Sequence, residues 1–267
     1  MIPIAFRNVS YSYPGGVVAL RDVSLAIAAG ETVALIGQNG AGKTTLARHL
    51  NGLLQPASGT VTVGDWNTNS RTVAQLAGRV GYVFQHPDQQ IFKRKVRDEV
   101  AFGPRNLGFS PARVAELVES SLSATELTAY ADHHPHDLLP SQRKYVALAS
   151  VLAMQTPVLV LDEPTAGQDA RGVRLMERIL GRLQAEGRTL VIISHDMDFS
   201  VDHCRRFVVL DEGHILLDGP PEQVFARPEL LTKAAVEPPQ LARLASRLDL
   251  PLVWDAQTFV EQLKAQR

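Results

Sequence analysis

The chain has 267 residues, and its 27 lysines and arginines against 28 aspartates and glutamates give a formal net charge of −1 at pH 7. With 45% hydrophobic and 21% charged residues, the composition is that of a globular protein and excludes wholesale disorder. The near-zero charge gives no reason to expect a nucleic-acid partner, and we expect none. The single cysteine, Cys204, excludes a disulfide within the chain. This length predicts one large domain or a domain with an appendage.

The first third of the chain alternates short β-rich runs with turns. Strand composition marks Phe6–Tyr13, Val23–Ile27 and Thr60–Val63. Thr32–Ile36 (TVALI) is almost entirely apolar, which predicts a strand covered on both faces. A glycine-rich turn follows it, and a helix is predicted over Lys43–Asn51.

Later runs repeat the buried-strand pattern at Val80–Phe84, Val158–Leu161 and Thr189–Ile193. Between the last two, an amphipathic helix is predicted from apolar residues at helical spacing, namely Val173, Met176, Leu180 and Leu183. Buried strands that alternate with helices predict an α/β fold with a mostly parallel core sheet flanked by helices.

Two regions depart from this alternation. Residues from about 88 to 155 are predicted to be a helical insertion between two strands, with Pro111–Ser123 and Ser141–Met154 as the clearest helices. The composition changes again over residues 223–267, which are predicted to form a short helical tail. The tail is too short for a core of its own, so its apolar residues must pack on the main body or on a partner. The apolar segment Tyr145–Leu161 is too short for a bilayer, so we expect no membrane span.

A phosphate-binding motif lies between the TVALI strand and the helix that follows. Gly37–Thr44, GQNGAGKT, matches G-x-x-x-x-G-K-[ST] in the strand–turn–helix context that the motif requires. Its glycines let the backbone wrap around phosphates, so that N–H groups point at the anion. Lys43 then places a cation on the β- and γ-phosphates, and Thr44 offers a hydroxyl to Mg²⁺. The alternative is a glycine turn that only happens to precede a helix.

Titratable side chains follow two other buried strands. The segment VLVLDEP contains Asp162, whose carboxylate is predicted to bind Mg²⁺, and Glu163, which is predicted to polarise an attacking water. His195 follows the strand over Thr189–Ile193 and is predicted to contact the γ-phosphate. Because strand ends on one side of a parallel sheet gather at a common crevice, we expect Asp162 and His195 to converge with the phosphate loop. On their own, the acids could be helix caps and the histidine structural.

Together these motifs resemble those of the ATP-binding cassette (ABC) ATPases. The resemblance rests on GQNGAGKT, Gln85 after VGYVF, LDEPTAGQD at Leu161–Asp169 and His195, which occur in the family's order. It extends from residue 4 to about residue 220. It implies that residues 1–222 form an ABC ATPase domain of the phosphate-loop type, with an N-terminal antiparallel β part.

The segment Gln85–Phe92 and the proline- and leucine-rich tail further resemble the energy-coupling-factor ATPases, which import vitamins and transition-metal ions. That resemblance implies an ATP-hydrolysing importer subunit, peripheral on the cytoplasmic face of the cell membrane. Its implied partners are a multispan membrane coupling subunit and a substrate-binding membrane component, with Ile91 and Phe92 as candidate contacts. It also implies dimerisation through residues 223–267, although a tail folded on its own protomer fits equally well. The alternative functions are a soluble ABC ATPase without transport and a weakly hydrolysing regulatory nucleotide-binding subunit.

The family pattern also assigns roles to individual residues. Tyr13 resembles the aromatic residue that stacks on adenine, with Tyr11 as the alternative. Gln85 resembles the glutamine that contacts Mg²⁺ and the water, and Asp169 resembles the aspartate that communicates with the opposite protomer. Catalysis is thus expected from Glu163, His195 and Gln85, and Mg²⁺ ligation from Thr44, Gln85 and Asp162. The residues expected to bind ATP are Tyr13, Gly37, Gln38, Asn39, Gly40, Ala41, Gly42, Lys43, Thr44 and Thr45.

One motif departs from the family pattern. Family members work as head-to-tail pairs, and each ATP lies between one phosphate loop and the partner's L-S-G-G-Q signature, for which this chain has Leu138, Leu139, Pro140, Ser141 and Gln142. Leu139 stands where the serine hydroxyl belongs, and Pro140, which has no N–H, stands where a glycine belongs. Tyr145 replaces the usual arginine. We therefore expect a heterodimer with a second ABC ATPase subunit that carries LSGGQ. A homodimer with two impaired sites, and compensation by the Ser141 hydroxyl, are the alternatives.

Overall fold

The computed structural model describes residues 1–265. Its strands are β1 (Ile4–Ser12), β2 (Val18–Ile27), β3 (Thr32–Ile36), β4 (Ser58–Val63), β5 (Trp66–Asn67), β6 (Val80–Val83), β7 (Val158–Asp162), β8 (Thr189–Ile193), β9 (Arg206–Asp211) and β10 (His214–Gly219). Its helices are α1 (Lys43–Arg48), α2 (Val73–Leu76), α3 (Val96–Asn106), α4 (Pro111–Ala124), α5 (Pro140–Ala153), α6 (Ala170–Ala185), α7 (Met197–His203), α8 (Pro221–Phe225), α9 (Pro228–Lys233), α10 (Gln240–Arg247) and α11 (Ala256–Ala265). Short 3₁₀ turns lie at Thr68–Ser70, Pro87–Gln89, Thr128–Tyr130 and Pro135–Asp137.

The core sheet has the strand order β10-β9-β3-β8-β7-β6. Its strands pair in parallel from β9 to β6, and β10 pairs antiparallel to β9 at one edge. Every residue of β3, β7 and β8 is buried, because both faces of the sheet are covered. The expected fold class is confirmed, and the predicted strands Thr32–Ile36 and Thr189–Ile193 match the structure at both ends.

A second, antiparallel sheet with the order β2-β1-β4-β5 covers one face of the core sheet. The alternation of side chains along β3 shows the two layers. Val33 and Leu35 share a hydrophobic cluster with Phe6 of β1, whereas Ala34 and Ile36 belong to the cluster formed with α5 and α6. The predicted N-terminal antiparallel part is therefore a separate layer, and the ends of the core strands remain free for a site.

Helices α3, α4 and α5 form the insertion between β6 and β7. The helices α4 and α5 were both predicted. The structure begins α5 at Pro140 rather than at Ser141, because the first turn of a helix needs no N–H partner and so accepts a proline. The helix α3 lies within the region predicted to be helical, but it was not predicted as a separate helix, because its sequence VRDEVAFGPRN contains a glycine and a proline that disfavour a helix. Close packing accounts for the glycine, since a Cβ on Gly103 would lie 2.5 Å from Met154 Cγ.

Two further differences concern the α/β core. No strand was predicted over residues 206–219, where the structure has β9 and the partly exposed edge strand β10. The helix predicted over Lys43–Asn51 ends at Arg48. The His49 N–H bonds to the Leu46 carbonyl oxygen, three residues back, so the chain tightens into a turn there.

The tail packs on its own protomer. Leu231 of α9, together with Ala234 and Val236, joins the large cluster on the helical face of the core sheet. The ring centroids of Trp254 and Phe225 are 6.5 Å apart. The helices α10 and α11 share a small hydrophobic cluster of their own. Among the helices within residues 1–265, none combines the length and apolar character that crossing a bilayer requires.

Candidate active site

The phosphate loop connects β3 to α1 at the carboxyl end of the core sheet. Gly37 has a φ of 140° and Gly42 a φ of 106°, which favour glycine. A Cβ on Gly37 would lie 2.2 Å from the Leu210 carbonyl oxygen, and a Cβ on Gly42 would lie 2.6 Å from the Ala19 carbonyl oxygen. Both positions therefore require glycine for its conformation and for its size.

Lys43 lies inside this loop and is 6% exposed. Its Nζ donates to the carbonyl oxygens of Gly37 at 2.6 Å and Gln38 at 2.9 Å. Burial lowers the pKa of Lys43, and the charges of Glu163 and Asp162 oppose that shift. The ammonium group is thus held by neutral carbonyls, and a phosphate anion in the loop would be a stronger partner.

Asp162 is the last residue of β7 and contacts the first turn of α1. Its Oδ2 accepts hydrogen bonds from Thr44 Oγ1 at 3.2 Å and from the Tyr82 hydroxyl at 3.1 Å. Burial raises the pKa of Asp162, and the hydrogen bonds from Tyr82 and Thr44 oppose the rise. Two of the predicted Mg²⁺ ligands are therefore in direct contact. Tyr82 was not among the predicted site residues, because an aromatic residue in the apolar strand β6 is expected only to pack.

Glu163 follows Asp162 with a φ of 50°, in the left-handed region. Its N–H donates to the Ile193 carbonyl oxygen at 2.8 Å, and its carboxylate accepts from the His195 N–H at 3.3 Å. His195 Nε2 lies 3.5 Å from Glu163 Oε1. Burial raises the pKa of Glu163, the His195 N–H opposes the rise and the Asp162 charge adds to it. A buried carboxyl group with a raised pKa has the chemistry of a general base.

These groups share one cleft of about 590 Å³, which contains predicted site residues together with others that the sequence did not reveal. Its lining is Tyr13, Val17, Val18, Ala19, Asn39, Gly40, Ala41, Gly42, Lys43, Thr44, Thr45, Gln85, Asp162, Glu163, Ala166, Ile193 and His195. Gly37 and Gln38 are not part of this lining. The Gln38 side chain instead donates to Asp211 Oδ1 at 3.2 Å, so it anchors the loop to β9.

The two tyrosines considered for adenine stacking have different surroundings. Tyr13 lines the cleft, and its hydroxyl lies 2.9 Å from Thr45 Oγ1. Tyr11 is partly buried against the cluster between the two sheets, with its ring edge-on to His49 at a centroid distance of 5.1 Å. The geometry therefore favours Tyr13 over Tyr11 as the aromatic residue that faces a ligand.

The ABC transporter family profile matches residues 20–166, slightly over half of the chain. The chain belongs to this family. It is therefore an ATP-binding ATPase domain of the ABC type. It is 41% identical over 249 residues to the energy-coupling factor transporter ATP-binding protein EcfA of Methanothermobacter thermautotrophicus, a match that covers 92% of this chain and 79% of EcfA.

Solved structures of ABC proteins share the fold. The structure of cbiO1 from Clostridium perfringens, part of the ABC transporter complex cbiONQ, is 34% identical with a TM-score of 0.76, over 92% of this chain and 98% of cbiO1. The dimeric ATP-binding cassette MJ0796, in a post-hydrolysis state with ADP and Pi, is 26% identical with a TM-score of 0.74, over 81% of this chain and 98% of that one. The chain spans 44% and 42% of the length of two Methanosarcina relatives that it matches.

In this ABC domain, Gln85 lies between the cleft and the helical insertion. It is exposed after β6 and lines both the main cleft and a neighbouring cavity of about 300 Å³. That second cavity is also lined by Ser141 and Lys144 of α5, and by Ala166. Gln85 is thus adjacent to both the predicted catalytic groups and the helix that carries the signature segment.

The signature segment of this ABC domain forms the start of α5. Leu138 is buried in the core, whereas Leu139 precedes the first turn with 65% of its surface exposed. Pro140 is the first helical residue, and the Gln142 side chain accepts the Leu139 N–H at 3.0 Å. The exposed start of the helix therefore presents an isobutyl group and a residue without an N–H. Of the segment, Ser141 and Gln142 keep polar side chains.

Four other positions singled out in the sequence have definite surroundings. Asp169 is exposed and caps α6, with its Oδ1 accepting the Gly172 N–H at 2.8 Å. Phe92 is 59% exposed, but Ile91 is only 5% exposed and packs in the core cluster. Ile91 was wrongly expected to contact a partner, since apolar neighbours in sequence need not share an environment. Tyr145 donates to the Gly172 carbonyl oxygen at 2.5 Å, inside the same protomer.

Proposed function

We propose that this chain is the ATP-hydrolysing subunit of a membrane importer of the energy-coupling-factor type. The observation that carries the proposal is the convergence of Lys43, Asp162 and Glu163 at one cleft, with His195 against Glu163. The names of EcfA and of the cbiONQ complex support the importer class. The cargo class that we propose is a vitamin or a transition-metal ion, and the place of action is the cytoplasmic face of the membrane.

The residues of the cleft divide the work of hydrolysis. The phosphate-loop N–H groups and the Lys43 ammonium bind the β- and γ-phosphates, in place of the carbonyls that Lys43 now contacts. Glu163 accepts a proton from the attacking water, while the His195 N–H and side chain hold its carboxylate. Gln85 orients the water, and Tyr13 stacks on adenine.

The donor set fits Mg²⁺ as a cofactor. Thr44 Oγ1 and Asp162 Oδ2 are adjacent oxygens, and Gln85 supplies a third on the rim of the cleft, which are the hard ligands that this ion prefers. When bound, Mg²⁺ neutralises phosphate charge as it develops in the transition state. Thr44, Asp162 and Gln85 would hold it.

The partner that we propose is a second ABC ATPase subunit with an intact LSGGQ. The dimeric form of MJ0796 supports pairing as such, and the exposed Leu139 and Pro140 support an unlike partner. A partner's signature completes the ATP site on this chain, whereas this chain offers a poor signature to the partner's ATP. The tail, residues 223–267, adds to the dimer contact, and a multispan coupling subunit and a substrate-binding membrane component complete the assembly.

Repair of the signature tests this proposal. Hydrogen bonds to charged groups contribute about 1.5–3 kcal/mol each, so the loss of two costs about 3 kcal/mol or more, on the order of a hundredfold in rate. We expect weak ATP hydrolysis by the chain alone and an increase of about a hundredfold in Leu139→Ser/Pro140→Gly. Brisk hydrolysis by the unaltered homodimer, with no gain from the repair, would contradict the unlike-partner proposal.

A weakly hydrolysing regulatory subunit is the second candidate, and the same Leu139 and Pro140 geometry favours it. Turnover in a pair with an LSGGQ subunit distinguishes the two functions. Loss of the paired turnover in Glu163→Gln supports the hydrolytic subunit, because this chain then supplies the base. Unchanged paired turnover in that variant supports the regulatory subunit.

A further inference from the structure

Lys144 is a buried cation that the hydrolytic mechanism above does not use. It lies in α5 and is 4% exposed. Its Nζ donates to the Glu163 carbonyl oxygen at 2.6 Å and to the Ala166 carbonyl oxygen at 2.9 Å. Burying an ammonium group is costly unless its donors are satisfied, so these two hydrogen bonds fix where the side chain can lie.

Lys144 binds a turn whose backbone conformation is uncommon for residues other than glycine. Glu163 has a φ of 50°, and left-handed non-glycine residues persist only where their surroundings enforce them. On one side of the turn, the Glu163 N–H bonds to the Ile193 carbonyl oxygen of β8. On the other side, Lys144 Nζ donates a hydrogen bond to the Glu163 carbonyl oxygen. The peptide groups on either side of the Glu163 Cα are therefore tied to β8 and to α5.

A second contact joins the same two segments. The Gln168 side chain donates to the Ser141 carbonyl oxygen at 3.3 Å, so the loop after Glu163 also touches the first turn of α5. Ala166, whose carbonyl oxygen Lys144 binds, lines both the main cleft and the cavity next to the signature segment. The signature helix and the Glu163 turn thus form one continuous contact within a single protomer.

We propose that Lys144 is a positioning residue for Glu163, which holds the left-handed turn and so aims the carboxylate at the cleft. Because Lys144 lies on the same helix as the signature segment, it also transmits the position of that helix to the base. This inference rests on the proposed role of Glu163 in hydrolysis.

The test uses the full chain, with the faster of the unaltered and the signature-repaired forms as reference. Lys144→Met keeps most of the side-chain length and removes both hydrogen bonds. We expect kcat to fall about 10- to 100-fold, with the Kd for ATP changed less than about twofold, because phosphate and adenine contacts lie elsewhere. Lys144→Arg, which keeps the charge and the donors, should recover most of the rate.

Tyr145→Phe is the matched control, since it removes a buried hydrogen bond from the next residue of α5 to Gly172. It should leave kcat within about twofold, because the Gly172 carbonyl oxygen that Tyr145 binds is not part of the Glu163 turn. Equal losses of kcat in Tyr145→Phe and Lys144→Met, or no loss in Lys144→Met, would overturn the positioning role. Lys144→Gln, which keeps a donor, is measured if Lys144→Met does not fold, and it is judged by the same criteria.

A double-mutant cycle with Glu163→Gln separates this inference from the proposed function. If Lys144 acts through Glu163, Lys144→Met should reduce the residual rate of Glu163→Gln by less than about threefold, so the two losses do not multiply. Multiplying losses would overturn the inference alone. Unchanged turnover in Glu163→Gln itself would overturn the proposed base and the inference with it.

Discussion

At the scale of single residues, the two acids of the cleft, Asp162 and Glu163, are buried away from the water that would stabilise their charges. Burial raises the pKa of Asp162 and of Glu163, so the folded chain without a ligand disfavours their ionised forms. Buried charges of this kind lower the stability of the folded chain, and their replacement by neutral side chains raises it. Ionised Glu163 costs stability above its folded-state pKa, and this cost disappears as the pH falls and the carboxyl group is protonated.

Glu163→Gln should slow hydrolysis to a small residual rate and keep ATP bound, and it should stabilise the ligand-free chain. We expect a gain of about 1 kcal/mol near pH 7.5, seen as a rise in Tm of about 2–4 °C. The gain should shrink as the pH falls toward the ordinary glutamate value, because the unaltered side chain then becomes neutral too. Thermal melts from pH 8 to pH 5.5 measure both trends.

Glu126→Gln provides the control of opposite sign. Hydrogen bonds and charges from Arg171 and Arg178 hold the pKa of Glu126 below its usual value, so its ionised form adds stability above the unfolded-state pKa. Its replacement should lower Tm near neutral pH, and the loss should fade as the pH falls. A gain in both variants would contradict the assignment of burial as the cause at Glu163.

Tyr82→Phe tests whether the tyrosine orients Asp162 toward a cation. The variant removes the hydroxyl that bonds to Asp162 Oδ2 while keeping the ring in its place between the sheets. Loss of a partner that orients a metal ligand typically weakens metal binding 10- to 100-fold. We expect nucleotide binding to need about tenfold more Mg²⁺, with the affinity for metal-free ATP unchanged. A Mg²⁺ titration of nucleotide binding that matches the unaltered chain would contradict this role.

At the scale of elements, the phosphate loop depends on one close approach between neighbouring strands. Gly37→Ala would place a Cβ against the Leu210 backbone of β9, which cannot yield as a side chain can. We expect a loss of about 2–4 kcal/mol of unfolding free energy. Gly40→Ala is the control, because Gly40 also has a positive φ but no atom near the added Cβ, and it should cost about 1 kcal/mol. Chemical denaturation distinguishes them, and equal losses would exclude the steric cause.

The strands and helices differ in how well the sequence predicted them. Continuous apolar runs gave β3 and β8 with their correct ends, because both faces of those strands are buried. The glycine-rich loop and the two acids at the end of β7 were recognisable because they match sequence motifs with fixed residue types. The bounds of α3 were hidden by Gly103 and Pro104, which disfavour a helix, and only the structure shows that Gly103 packs closely against Met154.

Hydrogen bonds between residues that are far apart in the chain could not be predicted from the sequence. Gln38 belongs to the phosphate-loop motif, yet its side chain bonds to Asp211, a residue remote in the chain. Lys144 precedes an apolar helical run, and only the structure shows that its Nζ reaches the turn after β7. Residue type and spacing thus predicted side chains that line the cleft, but not the groups that hold those side chains in place.

At the scale of the whole molecule, the cleft keeps the residues of the family pattern, whereas the signature segment departs from it. Lys43, Thr44, Asp162 and Glu163 form a connected set around the loop, whereas the exposed start of α5 presents Leu139 and a proline. In the head-to-tail pair that we propose, each ATP needs the loop of one chain and the signature of the other. On that proposal, a pair with an LSGGQ subunit has one complete site, built on this chain's loop.

This inequality predicts that one substitution has different effects in different pairs. Leu139→Ser/Pro140→Gly should raise the turnover of the chain alone about a hundredfold, because both of its sites gain donors. In a pair with an LSGGQ subunit it should raise turnover at most about twofold, because one site was already complete. Glu163→Gln in this chain should abolish the paired turnover. Steady-state ATP hydrolysis by purified pairs provides the measurement, and an equal gain in both settings would contradict the proposal that the unlike pair already has one complete site.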